Sequence, residues 1–176
     1  MTEGKQTRQY GLWTSPITPI SLARGLGFSD VAWNEDGTLI WSEARSNRNI
    51  LVLQPLEGSA VRDLNDIFSV RAKVGYGGGD FCVGRGMVYF VEAESGRIYH
   101  QPLVSGQAKP ITPAFGSAAS PTLSPDGQWL LYVHSYEGQD VLAVVDSDGV
   151  TWPQILVSGA DFYMQPTWHP NGNRIA

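Results

Sequence analysis

Leu123-Ser124-Pro125-Asp126-Gly127, followed after one residue by Trp129-Leu130-Leu131-Tyr132-Val133, is a tight turn set between two short apolar runs. The same phrase stands at Trp33-Asn34-Glu35-Asp36-Gly37 before Leu39-Ile40-Trp41. It returns at Trp168-His169-Pro170-Asn171-Gly172 before Arg174-Ile175-Ala176, where the sequence ends. A weaker copy, Val83-Gly84-Arg85-Gly86 before Met87-Val88-Tyr89-Phe90, fills the gap between the first and second. The turn glycines Gly37, Gly86, Gly127 and Gly172 are therefore 49, 41 and 45 residues apart. Each part of the phrase has a physical task. Proline fixes φ at the first corner, Asp or Asn closes an Asx-type hydrogen bond, and glycine accepts positive φ. The run after the turn is almost continuously apolar, as a strand covered on both faces must be. A repeat of roughly 40 to 50 residues made of such strands reads as the blades of a β-propeller.

The expected fold class is all-β: a propeller fragment of about three complete four-stranded blades and the start of a fourth. Residues 1–27 form a lead-in, with a short strand or turn near Leu22-Ala23-Arg24. Residues 28–176 form the partial propeller, with blades at about 28–64, 77–113, 117–159 and an incomplete 160–176. Strands are predicted at Asp30–Trp33, Thr38–Glu43, Asn49–Leu53 and Ala60–Asp63 in the first blade. In the second they fall at Asp80–Val83, Met87–Ala93, Arg97–Pro102 and Lys109–Ile111. The third has Ala119–Leu123, Trp129–His134, Asp140–Asp146 and Gln154–Val157, and the fourth opens with Met164–Trp168. The connector from Asn65 to Val74 reads equally as helix or strand. Because the last blade breaks off inside its second strand, the sequence reads as part of a longer ring.

Composition narrows the function classes. Hydrophobic residues make up 42% and charged residues 16%, which supplies a packed core and excludes a disordered chain. A net charge of −5 offers no basic face, so a nucleic-acid partner is not expected. No apolar leader precedes Gln9 and no stretch has the length of a membrane span, so no membrane partner is expected and the cytoplasm is the default compartment. The single cysteine, Cys82, lies in the apolar run Phe81-Cys82-Val83 and reads as a buried, inert thiol.

No catalytic residue is assigned. A hydrolase nucleophile would stand in Gly-x-Ser-x-Gly between a strand and a helix. Gly27-Phe28-Ser29-Asp30-Val31 fails at its last position. His100, His134 and His169 fall on different blades and read as structural or surface residues. Gly75-Tyr76-Gly77-Gly78-Gly79 lacks the Lys-Ser/Thr of a phosphate loop. It reads as a crossover where two blade backbones approach closely, which glycine permits. The alternative makes Tyr76, Gly77, Gly78 and Gly79 a loop at a substrate entrance or an interdomain face. Asp146-Ser147-Asp148-Gly149 begins like a calcium loop but lacks the bidentate Glu, so a hairpin turn is expected. Neither metal nor cofactor is expected. Trp33 and Trp168 occupy equivalent places in the repeat, and packing between blades is expected of both.

The repeat of Ser124-Pro125-Asp126-Gly127 with Trp129–Val133 and Val141-Leu142-Ala143-Val144-Val145-Asp146 resembles that of TolB-type propellers. Tyr10-Gly11-Leu12-Trp13-Thr14-Ser15-Pro16-Ile17-Thr18 resembles the opening of S9-family serine peptidases, the relatives of prolyl oligopeptidase and acylaminoacyl-peptidase. So do Trp41-Ser42-Glu43-Ala44-Arg45 with Asn49-Ile50-Leu51-Val52, and Tyr76-Gly77-Gly78-Gly79. The resemblance implies an N-terminal propeller that restricts access to a C-terminal α/β-hydrolase domain with a Ser–Asp–His triad. The partners implied are that hydrolase domain, the remaining blades, and an oligopeptide substrate of the parent enzyme. None of the triad falls in this sequence. Two alternatives stand beside this reading: a TolB-like propeller that binds a protein and catalyses nothing, and a propeller lyase, for which only Gln165 and His169 are suggestive. An open ring also exposes strand edges and blade faces, from which self-association is expected.

Overall fold

The computed structural model describes residues 7, 9–11, 17–20, 26–75 and 79–176. The short element expected near Leu22-Ala23-Arg24 lies outside them. Within them the chain forms three four-stranded sheets, each in strict chain order. The first contains β1 (Gly27–Trp33), β2 (Leu39–Arg45), β3 (Arg48–Gln54) and β4 (Arg62–Asp63). The second contains β5 (Phe81–Gly84), β6 (Met87–Val91), β7 (Ile98–Pro102) and β8 (Lys109–Pro110). The third contains β9 (Ser117–Leu123), β10 (Trp129–Tyr136), β11 (Gln139–Asp146) and β12 (Gln154–Val157). Every neighbouring pair is antiparallel. These are blades, and the three of them do not close into a ring.

Alternation along the middle strands explains both the core and the sequence pattern. Val88 and Phe90 of β6 join Ile40, Leu51, Leu53 and Phe81 in one core between the first and second sheets. Tyr89 and Val91, the intervening residues, join Leu130 to Val133 in a second core between the second and third. Successive side chains on a strand point to opposite faces, so a strand between two blades must be apolar at every position. Leu130 and Leu131 are both 0% exposed, as that reading of the Trp129–Val133 run requires. Tyr163, Trp168 and Ile175 pack against the second core and begin a fourth blade.

The expected strands all have counterparts except one. Met164–Trp168 is not a ladder; it contributes an isolated bridge, Trp168 to Ile175, with Thr167 and Ala176 exchanging backbone hydrogen bonds of 2.9 and 3.0 Å. The connector from Asn65 to Val74 is neither helix nor full strand. Val70 donates its amide to the Asn49 carbonyl of the first blade at 2.9 Å, while Arg71 donates to Val91 of the second at 3.0 Å. The segment threads between two blades and spends its backbone groups on both.

Two inner strands carry the same irregularity. In the first blade Phe28 opposes Glu43 and Val31 opposes Trp41, leaving Ser29 and Asp30 opposite one residue. In the third, Ala119 opposes Val133 and Thr122 opposes Leu131, leaving Ser120 and Pro121 opposite Tyr132. These are β-bulges, which re-aim side chains and tolerate a proline that cannot donate to the ladder. Ser120 adopts φ 51° there, and Gln165, its counterpart in the fourth blade, φ 45°.

Candidate functional site

The bulges gather the starts of the inner strands. Asp30 accepts the Asp80 amide hydrogen at 2.9 Å, and Ser29 Oγ donates to Asp80 Oδ2 at 3.2 Å. The other oxygen of Asp80 accepts from the Ala72 amide at 2.8 Å. Asp80 is 4% exposed. Burial pushes its carboxyl above the ordinary range and the neighbouring Asp30 charge adds to that, against the Ala72 and Ser29 hydrogen bonds. The cluster therefore ties the first blade to the second through a carboxyl that is costly to ionise. Chemically it is an anchor: the Ser29 hydroxyl and the Asp80 carboxyl hold each other across the two blades. Sequence reasoning passed over Asp30 and Asp80, although both stand four residues before the turn, as Ser120 and Gln165 do.

Gly79 stands at the same junction. Its carbonyl accepts the Ser120 amide hydrogen at 2.9 Å, its φ is +65°, and an added Cβ would lie 2.4 to 2.9 Å from Ser120 Oγ, Cα and Cβ. That is the close backbone approach expected of the glycine loop, here between the second and third blades. Tyr76, Gly77 and Gly78 lie outside the described residues.

At the opposite ends of the inner strands, the turns lock in sequence. The Glu35 carboxylate accepts the Arg85 amide hydrogen at 3.0 and 3.2 Å, and Asn34 Oδ1 accepts from Gly86 at 3.2 Å. The Arg85 guanidinium then donates to the Pro125 carbonyl of the third blade at 2.8 Å. Trp168 continues the pattern on the next blade, its indole donating to the Thr122 carbonyl at 3.1 Å. Trp33, its equivalent, is 65% exposed, contrary to the expected packing, because among the described residues no blade covers that face of the first sheet.

His134 lies among the rings of Phe115 and Tyr132, and burial holds its imidazole below the ordinary value of 6.5. His100 lies beside Tyr89, and His169 Nδ1 is 2.7 Å from Asn171 Oδ1 in its own turn. None of these described neighbours supplies the serine and acid of a triad. Burial pushes the Cys82 thiol up to about 12, so it is neutral near pH 7. Asp146 accepts from Val150 N, Thr151 N and Thr151 Oγ1 at 2.9, 2.6 and 2.6 Å, which makes its loop a capped hairpin turn. Among the described residues no group of three or more His, Cys, Asp or Glu is placed to hold a metal ion.

Four-stranded meanders packed face to face, with inner-strand bulges and interlocked turns, define an open β-propeller. No protein-family profile matches the sequence. Among solved structures, a puromycin-hydrolysing peptidase from Mycobacterium tuberculosis is similar over 97% of this chain at 25% identity, with a TM-score of 0.76. A puromycin hydrolase is similar over 97% at 26% identity, with a TM-score of 0.74. TolB from Acinetobacter baumannii shares the fold over 86% of the chain at 20% identity and a TM-score of 0.63. The chain is thus similar to the N-terminal propeller segment of S9-type serine peptidases, as the sequence resemblance implied. It spans 30% of the length of the two puromycin-hydrolysing structures.

Proposed function

We propose that this chain is the non-catalytic propeller segment of an S9-type serine peptidase, and that it restricts which substrates reach a hydrolase domain elsewhere in the parent protein. One observation carries the reading: nearly the whole chain matches puromycin-hydrolysing peptidases while spanning 30% of their length. The parent would cleave oligopeptides through an acyl-enzyme on a serine outside this sequence. Its likeness to puromycin-hydrolysing enzymes makes small aminoacyl amides reasonable first substrates. The junction formed by Ser29, Asp30, Gly79 and Asp80, together with Tyr76, Gly77 and Gly78 on the strength of their sequence alone, is the part of the segment we assign to the substrate entrance or domain interface. Assaying the parent on dipeptidyl amides, peptides of increasing length and a folded protein tests the gate. kcat/KM should fall steeply with length and vanish for the folded protein; a length-independent kcat/KM contradicts restriction.

A second reading is a TolB-like propeller that binds a protein partner without catalysis, supported by the shared fold with TolB structures. A parent that hydrolyses none of these substrates favours it. Under either reading the chain in isolation self-associates through its open blade faces, where Phe28, Val31 and Trp33 are exposed at one end and Ile155 and Leu156 at the other.

A further inference from the structure

Unsatisfied amide groups gather at the outer rim, between the exit of β4 and the β7–β8 hairpin. There a cleft of about 390 Å³ is lined by Asn65, Ile67, Phe68, Gln101, Gly106 and Gln107, among others. Gln101 is 6% exposed and donates through Nε2 to the Leu64 carbonyl at 2.9 Å and the Gly106 carbonyl at 3.3 Å. Two carbonyl acceptors fix which end of that amide is nitrogen, so the atom left over is the acceptor Oε1, and it has no partner among the described residues. Asn65 is bonded through neither Nδ2 nor Oδ1, and both atoms are buried. Buried amides are almost always paired, since desolvation is otherwise unrecovered. Here three unpaired atoms belong to two neighbouring residues of one cleft wall. Apolar surface flanks them, with Phe68 below, packed on Tyr99 at a ring distance of 4.7 Å, and Ile67 78% exposed above.

We propose that this rim cleft binds the main chain of an uncharged peptide segment, with Asn65 as the recognition residue. The Asn65 amide, turned out of the wall about its side-chain torsions, offers one donor and one acceptor, the complement of the N–H and C=O of one residue in an extended peptide, which point to the same side. Gln101 Oε1 accepts the next N–H, and the Ile67 and Phe68 surfaces receive an aliphatic side chain. The site is on the outer rim, away from the inner-strand mouth, and it does not depend on the peptidase reading.

The test uses the ¹⁵N-labelled chain titrated with N-acetyl-trialanine N-methylamide, which carries peptide groups and no charge. The Asn65 and Gln101 side-chain NH₂ resonances should shift and saturate. Asn65→Ala should abolish saturation while leaving Tm unchanged or raised, because it deletes an unpaired buried amide. Asn65→Asp, which keeps an acceptor and loses the donor, should weaken binding at least tenfold. The absence of saturable shifts, as when the cleft holds only water, overturns the proposal. So does an Asn65→Ala variant that loses several degrees in Tm yet still binds.

Discussion

At Gly79 the chain uses glycine for two reasons at once, a φ of +65° and the absence of a Cβ that would strike Ser120. Gly79→Ala should therefore cost about 2–4 kcal/mol, the sum of positive-φ strain and overpacking against backbone; urea denaturation measures it. His134 makes a prediction in pH. Its folded pKa lies below 6.5 because the ring is half-buried, and its Nε2 has no partner among the described residues. The unfolded chain then takes up a proton near pH 6.5 that the folded chain refuses. Stability is full above that pH and declines as pH falls through 6.5 toward the folded value. Replacing the ring by His134→Phe should flatten the slope of Tm between pH 7 and 5; an unchanged slope would assign it to other groups. Little of this was legible at the residue scale. The glycine run announced a close approach but not its partner, and the pairing of Asp30 with Asp80 joins residues fifty positions apart.

Blade strands were the most legible elements, because burial on both faces writes itself as a continuous apolar run. Gln154–Val157 falls where the pattern placed it, and β10 extends to Tyr136, past the predicted His134. Strand ends depend on how far the partner strand continues, which local sequence does not specify. The connector from Asn65 to Val74 was illegible for a related reason: its apolar residues serve two blades, so it follows neither period. The turns add something the repeat alone did not reveal. Each turn phrase closes its own hairpin and also holds the next, through Glu35 on Arg85 and Arg85 on Pro125. Glu35→Ala should cost about 0.5–1 kcal/mol, the worth of exposed capping bonds. The first blade's amides should exchange faster in hydrogen exchange while those of the third do not.

Across the molecule, the same packing that joins neighbouring blades is left unfinished at both ends. Trp33 is 65% exposed where its equivalent Trp168 is packed. Two copies placed end to end would cover apolar surface in the manner of an internal blade contact. Sedimentation velocity from 1 µM to 200 µM should show mass rising with concentration, and Trp33→Ser with Val31→Lys should suppress it. A strictly monomeric chain over that range contradicts this.

Whether the blades belong to a serine peptidase, as proposed above, is open to direct test. The most direct measurement treats the native source with a fluorophosphonate probe, isolates the polypeptide containing this segment, and determines its mass and labelling. A labelled polypeptide about three times heavier than this chain is expected, from the 30% of the similar structures that the chain spans. An unlabelled polypeptide, only large enough to complete a ring, would contradict that proposal and leave a binding propeller.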